Sequence, residues 1–258
     1  MQIQYFKEYS QSLQRDMEYK IYGHAGKICL VIPTQNNRFH EWEWRHMYDT
    51  VQDEIEQGKI RFVSCDSIDM ETWSNCYGDP LYRFDMHETW MNYLVDELIP
   101  SVQKKLNDFA PWWVTGASIG ATHSANLYFR FPDLFDGVLG LSGIYDVSEF
   151  YGSYHNDITY RNNPMAYMYN LPLDHPYIEK YNRGQMIFCV GQGAWEDQTV
   201  SDLRKLDGIF QAKGIHAWCD FWGYDVAHDW PWWQKQFPYF INHMLEINHM
   251  LEKKEADD

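Results

Sequence analysis

Short apolar runs alternate with longer amphipathic ones along this chain, and that alternation limits its fold more than any single motif does. The runs "MEYKIYG", "KICLVIP", "IRFVSCD", "WWVTGA", "DGVLGLSG", "QMIFCVG" and "HAWCDFWG" are mostly closed by Gly, Pro or Asp, which is how buried strands read. Between them the pattern predicts helices over Glu43–Gln57, His87–Asn107, Gly120–Phe131, Thr199–Lys213 and Trp232 to roughly Glu255. Such alternation implies parallel strands joined by crossover helices, with helices on both faces of one sheet, an α/β class. Only "HAGK" separates the first two runs, so these two are expected to form an antiparallel hairpin at one edge. Residues Phe150 to Arg183, rich in Tyr, Asn and Pro, lack this periodicity and predict an irregular insertion over one end of the sheet, at about 150–183. No linker divides the chain. At 258 residues and 45% hydrophobic it has the size of one α/β domain, expected to span 1–258. The terminal "INHMLEINHMLE" duplication reads as an extension of the last helix.

Charge narrows the partners. A formal net charge of -16 repels a nucleic-acid backbone or an anionic membrane surface at long range, so neither is expected as a partner. A small neutral or cationic ligand fits better, and self-association into a homo-oligomer stays open. The amino terminus has no basic segment followed by an apolar one, and no stretch approaches eighteen consecutive apolar residues. With five cysteines, an odd number that lie mostly inside apolar runs, the expectation is a soluble protein of the reducing cytoplasm.

The chemistry gathers at "WWVTGASIGATHSANLYF", where the strand run gives way to the helix run. Gly116-Ala117-Ser118-Ile119-Gly120 is G-x-S-x-G, in which small residues two before and two after the serine permit a turn sharp enough to hold its hydroxyl clear of the backbone. The Ile119 amide, opening the helix, would then face a developing oxyanion. Taken alone the pattern also fits a surface turn; its place between strand and helix favours a nucleophile. A serine needs a base and an orienting carboxylate, in the order Ser, acid, His. His228 lies in the loop after the last strand, just before the final helix. His123 sits on the helix behind the serine and reads as a packing residue, His243 and His249 occupy a helix face, and His216 precedes a strand. "CVGQGAWEDQT" presents Glu196 and Asp197 side by side, and either could be the acid, with Asp225 and Asp202 behind them. A second oxyanion amide is expected in "VIPTQNN", at Gln35; a plain polar turn is the other reading of that segment.

Together "LVIPTQNNRFHEWE", "CDSIDMETW", "GASIGATHSANLYFRFPDLFDGVLGLSGIYD", "VGQGAWED" and "HDWPWW" resemble the putative-esterase family of the α/β-hydrolases, related to S-formylglutathione hydrolases and to feruloyl and acetylxylan esterases. The resemblance covers almost the whole chain. It implies the α/β-hydrolase fold, a mostly parallel sheet with helices on both faces. In relatives the acid follows a Q-G-x-x-acid pattern, and Gln192-Gly193-Ala194-Trp195-Glu196 matches it with Glu in place of the usual Asp, which puts Glu196 ahead of Asp197. Where many relatives have H-G after the first central strand, Pro33-Thr34 stands here.

Trp73, Trp195 and Trp230 fall on loops or helix starts beside the expected crevice, with Trp232 and Trp233 close by, and predict stacking on a substrate ring; core packing is the plainer use of tryptophan. Asp66 and Asp69 lack a nearby His or Cys pair at ligand spacing, so no metal is expected, and Asp66 reads as a strand-end hydrogen-bonding residue. The function expected is hydrolysis of a small-acyl ester or thioester through an acyl-enzyme on Ser118, without a cofactor. An acyltransferase using the same residues, or a non-catalytic sugar- or peptide-binding protein on this scaffold, are the alternatives.

Overall fold

In the computed structural model, which describes residues 1–257 and leaves Asp258 of the expected domain outside, eight strands make one sheet. They are β1 (Ile3–Ser10), β2 (Arg15–Tyr22), β3 (Lys27–Ile32), β4 (Ile60–Cys65), β5 (Trp112–Ala117), β6 (Phe135–Leu141), β7 (Gln185–Val190) and β8 (Trp218–Phe221). Their order is β1-β2-β4-β3-β5-β6-β7-β8. Neighbours from β4 across to β8 run parallel, and β1 and β2 pair antiparallel.

The predicted hairpin between the first two expected strands does not form. β2 lies between β1 and β4, while β3 lies between β4 and β5. Burial explains the exchange. Along β3, Ile28, Leu30 and Ile32 enter the core on one face and Cys29 and Val31 the core on the other, so the strand must be covered on both sides. At an edge that covering would be lost. The edge goes instead to β1, absent from the sequence-based strands, whose odd residues face solvent; half its side chains are polar or charged, which hid it from a search for apolar runs.

The helices are α1 (Glu41–Trp44), α2 (Gln52–Glu56), α3 (Pro80–Asn92), α4 (Ile99–Leu106), α5 (Ile119–Arg130), α6 (Ser148–Tyr151), α7 (Asp157–Arg161), α8 (Pro164–Asn170), α9 (Tyr177–Arg183), α10 (Asp197–Lys213) and α11 (Trp230–Asp257). One core packs α3, α4, α5 and α10 against the sheet through Trp90, Ile99, Leu127 and Phe210; the other packs α1, α2 and α11 through Trp42, Ile55, Phe237 and Ile241. The helix expected over Glu43–Gln57 is broken into α1, a 3₁₀ turn at Tyr48–Val51 and α2, with His46 at φ 55 between them. The one expected from His87 begins earlier, at Pro80 behind the Asp79 cap, and relaxes into a π turn over Tyr93–Leu98. Pro100 follows at once and has no N–H to donate to Asp96, which accounts for the loosened turn. Residues 150–183 are not irregular but carry short helices, α7 and α8 opened by side-chain caps from Asn156 and Asn163. Asparagine and proline there are helix-start signals. Among the described residues no helix is long and apolar enough to cross a membrane.

Candidate active site

The residues singled out for chemistry meet at the carboxyl ends of the parallel strands, where an open α/β sheet forms its crevice. β5 ends at Ala117, Ser118 turns, and α5 starts at Ile119. The turn is tight: Ser118 has φ 55 and ψ -128, a conformation costing about 1–3 kcal/mol for a residue with a side chain. Packing holds it there. A Cβ on Gly116 would lie 2.3 Å from the Gly120 carbonyl carbon, and one on Gly120 would lie 2.5 Å from Ile32 O. Both glycines are therefore demanded by backbone approaching backbone, and the second contact brings the end of β3 against the turn.

Ser118 Oγ lies 3.0 Å from His228 Nε2, and His228 Nδ1 lies 3.2 Å from Glu196 Oε2. Two loops hold His228 and Glu196 together. Gly193 N donates to Val226 O at 2.8 Å, and His228 N donates to Ala194 O at 3.0 Å, so the loop after β7 and the loop after β8 are tied to each other. Glu196 is 1% exposed. Its Oε1 accepts from Ser142 Oγ at 2.6 Å, and its Oε2 also meets Thr199 Oγ1. Ser142 in turn accepts from Trp233 Nε1 at 3.1 Å, and the Trp233 ring stands edge-on to His228 at 5.0 Å. One tryptophan thus braces His228 directly and Glu196 through a serine.

Asp197 faces solvent in the first turn of α10. Asp202 is buried and occupied by the Tyr145 and Asp146 amides at 3.0 and 2.9 Å, and Asp225 is exposed. His123 packs among Trp73, His87 and Trp90, and burial pushes its ring down to about 3. The Ile119 amide opens α5, where the helical ladder offers it no partner. Gln35 lies in the turn after β3, its side chain on Ser74 Oγ at 2.8 Å. Asp66 holds Arg38 through Nε at 3.0 Å and Nη2 at 2.6 Å.

The tryptophans divide. Trp73 is corrected: it is 1% exposed, donates to His87 Nδ1 at 2.7 Å and is enclosed by Phe84 and Phe150. An indole whose N–H finds a buried acceptor and whose ring fills an apolar cluster presents no face to a substrate. Trp230 is half-buried, edge-on to Trp233 at 5.0 Å with the Arg45 guanidinium over its ring at 5.2 Å. Trp195, at φ 66 and 86% exposed, keeps its ring open beside Glu196. Sequence reasoning missed Ser142, which carries no motif; its place at φ 52 where β6 ends is visible only in the structure.

A chain with this sheet and this cluster at its strand ends can be compared with known families. The family model described as putative esterase matches residues 10–243. The chain belongs to the putative-esterase family. It is accordingly a carboxylic ester hydrolase with the α/β-hydrolase fold. Among solved structures, this esterase is similar to a ferulic acid esterase (16% identity, TM-score 0.72, 95% of this chain and 98% of that one covered). It is similar also to an S-formylglutathione hydrolase from Agrobacterium tumefaciens (11% identity, TM-score 0.73, 95% and 94% covered). A third likeness is to the fluorophosphonate-binding serine hydrolase F of Staphylococcus aureus (12% identity, TM-score 0.69, 95% and 98% covered). No curated protein matches the esterase in sequence.

Proposed function

We propose that this esterase cleaves a carboxylic ester or thioester of a small acyl group through an acyl-enzyme on Ser118, with His228 as base and Glu196 as acid of a catalytic triad. The hydrogen-bonded line from Ser118 Oγ to His228 at 3.0 Å and on to Glu196 at 3.2 Å carries the reading. As Ser118 Oγ attacks the acyl carbon, His228 Nε2 takes its proton, and Glu196 on Nδ1 fixes the tautomer and stabilises the imidazolium. The amides of Ile119 and Gln35 receive the oxyanion. Collapse breaks the bond to the leaving group, which departs with the proton from His228. Water then gives a proton to His228 and attacks the acyl carbon; the acid leaves and Ser118 recovers its hydrogen.

The names of similar structures cover an S-formylglutathione thioester and ferulic acid esters, acyl groups that run from a one-carbon formyl to an aryl-substituted propenoyl. Trp195, exposed beside Glu196, is the ring best disposed to stack on an aryl or sugar group of the substrate, with Trp230 at the rim. A fluorophosphonate probe should label the wild-type protein and leave Ser118→Ala unlabelled. The variant should lose turnover of p-nitrophenyl acetate on the scale of the ~10⁶-fold loss seen when such a serine is removed. A Ser118→Ala protein that keeps wild-type turnover would sink the proposal. Across acetate, butyrate and octanoate esters, kcat/KM should fall with chain length.

A further inference from the structure

We propose that the buried carboxylates of Glu41 and Asp69 are positioning residues that clamp the turn after β3 and hold the Gln35 amide open beside Ser118; this rests on the function proposed above. The turn is closed by Asn37 N donating to Thr34 O at 3.1 Å, with Asn36 at φ 61, the placement of a type II turn with Gln35 at its first central position. Thr34 N donates to Glu41 Oε2 at 2.8 Å, and Thr34 Oγ1 donates to Glu41 Oε1 at 2.5 Å. Asn36 N donates to Asp69 Oδ2 at 2.9 Å, and Ser74 Oγ donates to the same oxygen at 2.8 Å. The amides on either side of Gln35 are thus each held by a separate carboxylate, and among the described residues none accepts from Gln35 N.

Its direction follows from the same bonds. The carbonyl of the Thr34–Gln35 peptide points into the turn at Asn37, and in a trans peptide the N–H points the other way. Contact between Gly120 and the carbonyls of Ile32 and Pro33 sets this segment against the Ser118 turn. Both carboxylates are 4% exposed, a costly placement unless hydrogen bonds answer it. Burial pushes both carboxyls up, and the donors from Thr34 and Asn36 draw them back. Both oxygens of Glu41 and Oδ2 of Asp69 serve this segment, while Asp69 Oδ1 is buried without a partner; among the described residues no basic side chain is in hydrogen-bond contact with either acid.

Gln35→Pro tests the amide itself, since proline suits the first central position of a type II turn yet carries no N–H. It should lower kcat for p-nitrophenyl acetate by about 10²–10³-fold with KM and thermal midpoint nearly unchanged. Glu41→Gln and Asp69→Asn should each lower kcat by about 10- to 100-fold as the amide drifts. In the Gln35→Pro background each should cost under about twofold, because the group they position is gone. Equal losses in both backgrounds would make the acids merely structural and overturn the inference, as would near-wild-type kcat for Gln35→Pro. If either acid variant does not fold, Thr34→Val, which removes the hydroxyl donor from Glu41 without touching the Gln35 side chain, reads the same coupling. Fluorophosphonate labelling of Ser118 is measured alongside: a labelled wild-type protein with Gln35→Pro fully active sinks the clamp alone, whereas a wild-type protein that takes no label sinks the function as well.

Discussion

Ser142 ties two side chains together through one hydroxyl, donating to Glu196 Oε1 and accepting from Trp233 Nε1. Ser142→Ala would strand a buried acceptor and a buried donor, at about 1–3 kcal/mol each. A lower unfolding midpoint in denaturant is expected, with kcat reduced about tenfold as the acid loosens. The neighbouring carboxylates should behave unequally. Glu196→Gln removes the charge facing His228 and should cost up to about 10⁴-fold in kcat, the scale for a wrong tautomer. Asp197→Asn, at an exposed helix start, should stay within about twofold of wild type. Steady-state kinetics on the purified variants check both, and the reverse order would move the acid to Asp197.

Among the elements, the β5–α5 turn and α10 give glycine opposite meanings. Gly116→Ala would drive a Cβ to 2.3 Å from the Gly120 carbonyl carbon and 2.9 Å from Ala121 N. Because backbone is on the receiving side, no rotamer change relieves the clash, and the loss should reach or exceed the ~1–3 kcal/mol of ordinary overpacking. Gly208 lies on an exposed position of α10, and a Cβ there would meet nothing within 4 Å. Gly208→Ala should therefore stabilise the protein by about 0.5–1 kcal/mol, since it removes chain entropy from the unfolded state without a clash. Thermal melts of the two variants should move in opposite directions. A stable Gly116→Ala protein with an intact Ser118 reaction would mean that the turn tolerates a wider approach than its packing indicates.

Across the whole molecule, close packing leaves His87 and His123 buried, and burial pushes both rings down, His123 to about 3. Unfolded histidine protonates below about pH 6.5. The unfolded chain therefore binds more protons than the native one below about pH 6.5, and each ring withdraws stability as pH falls from there, His123 down to about 3, at up to about 1.4 kcal/mol per pH unit. His123→Leu should be less acid-sensitive: its midpoint relative to wild type should rise between pH 7 and pH 5, a difference in which the carboxylate contributions common to both proteins cancel. Parallel midpoints would refute the assignment. What the sequence by itself determined is local: the apolar runs of β2 to β8, the glycines on either side of Ser118, His228 in its loop, and two adjacent carboxylates at 196 and 197, because strand, turn and helix-start preferences act over a few residues. Tertiary structure decided the rest. The slot of β3 inside the sheet, the burial of Trp73 on His87, the turning of Glu196 inward while Asp197 faces water, and the bracing by Ser142 and Trp233 all depend on groups far apart in the chain, whose contacts exist only once both faces of the sheet are packed.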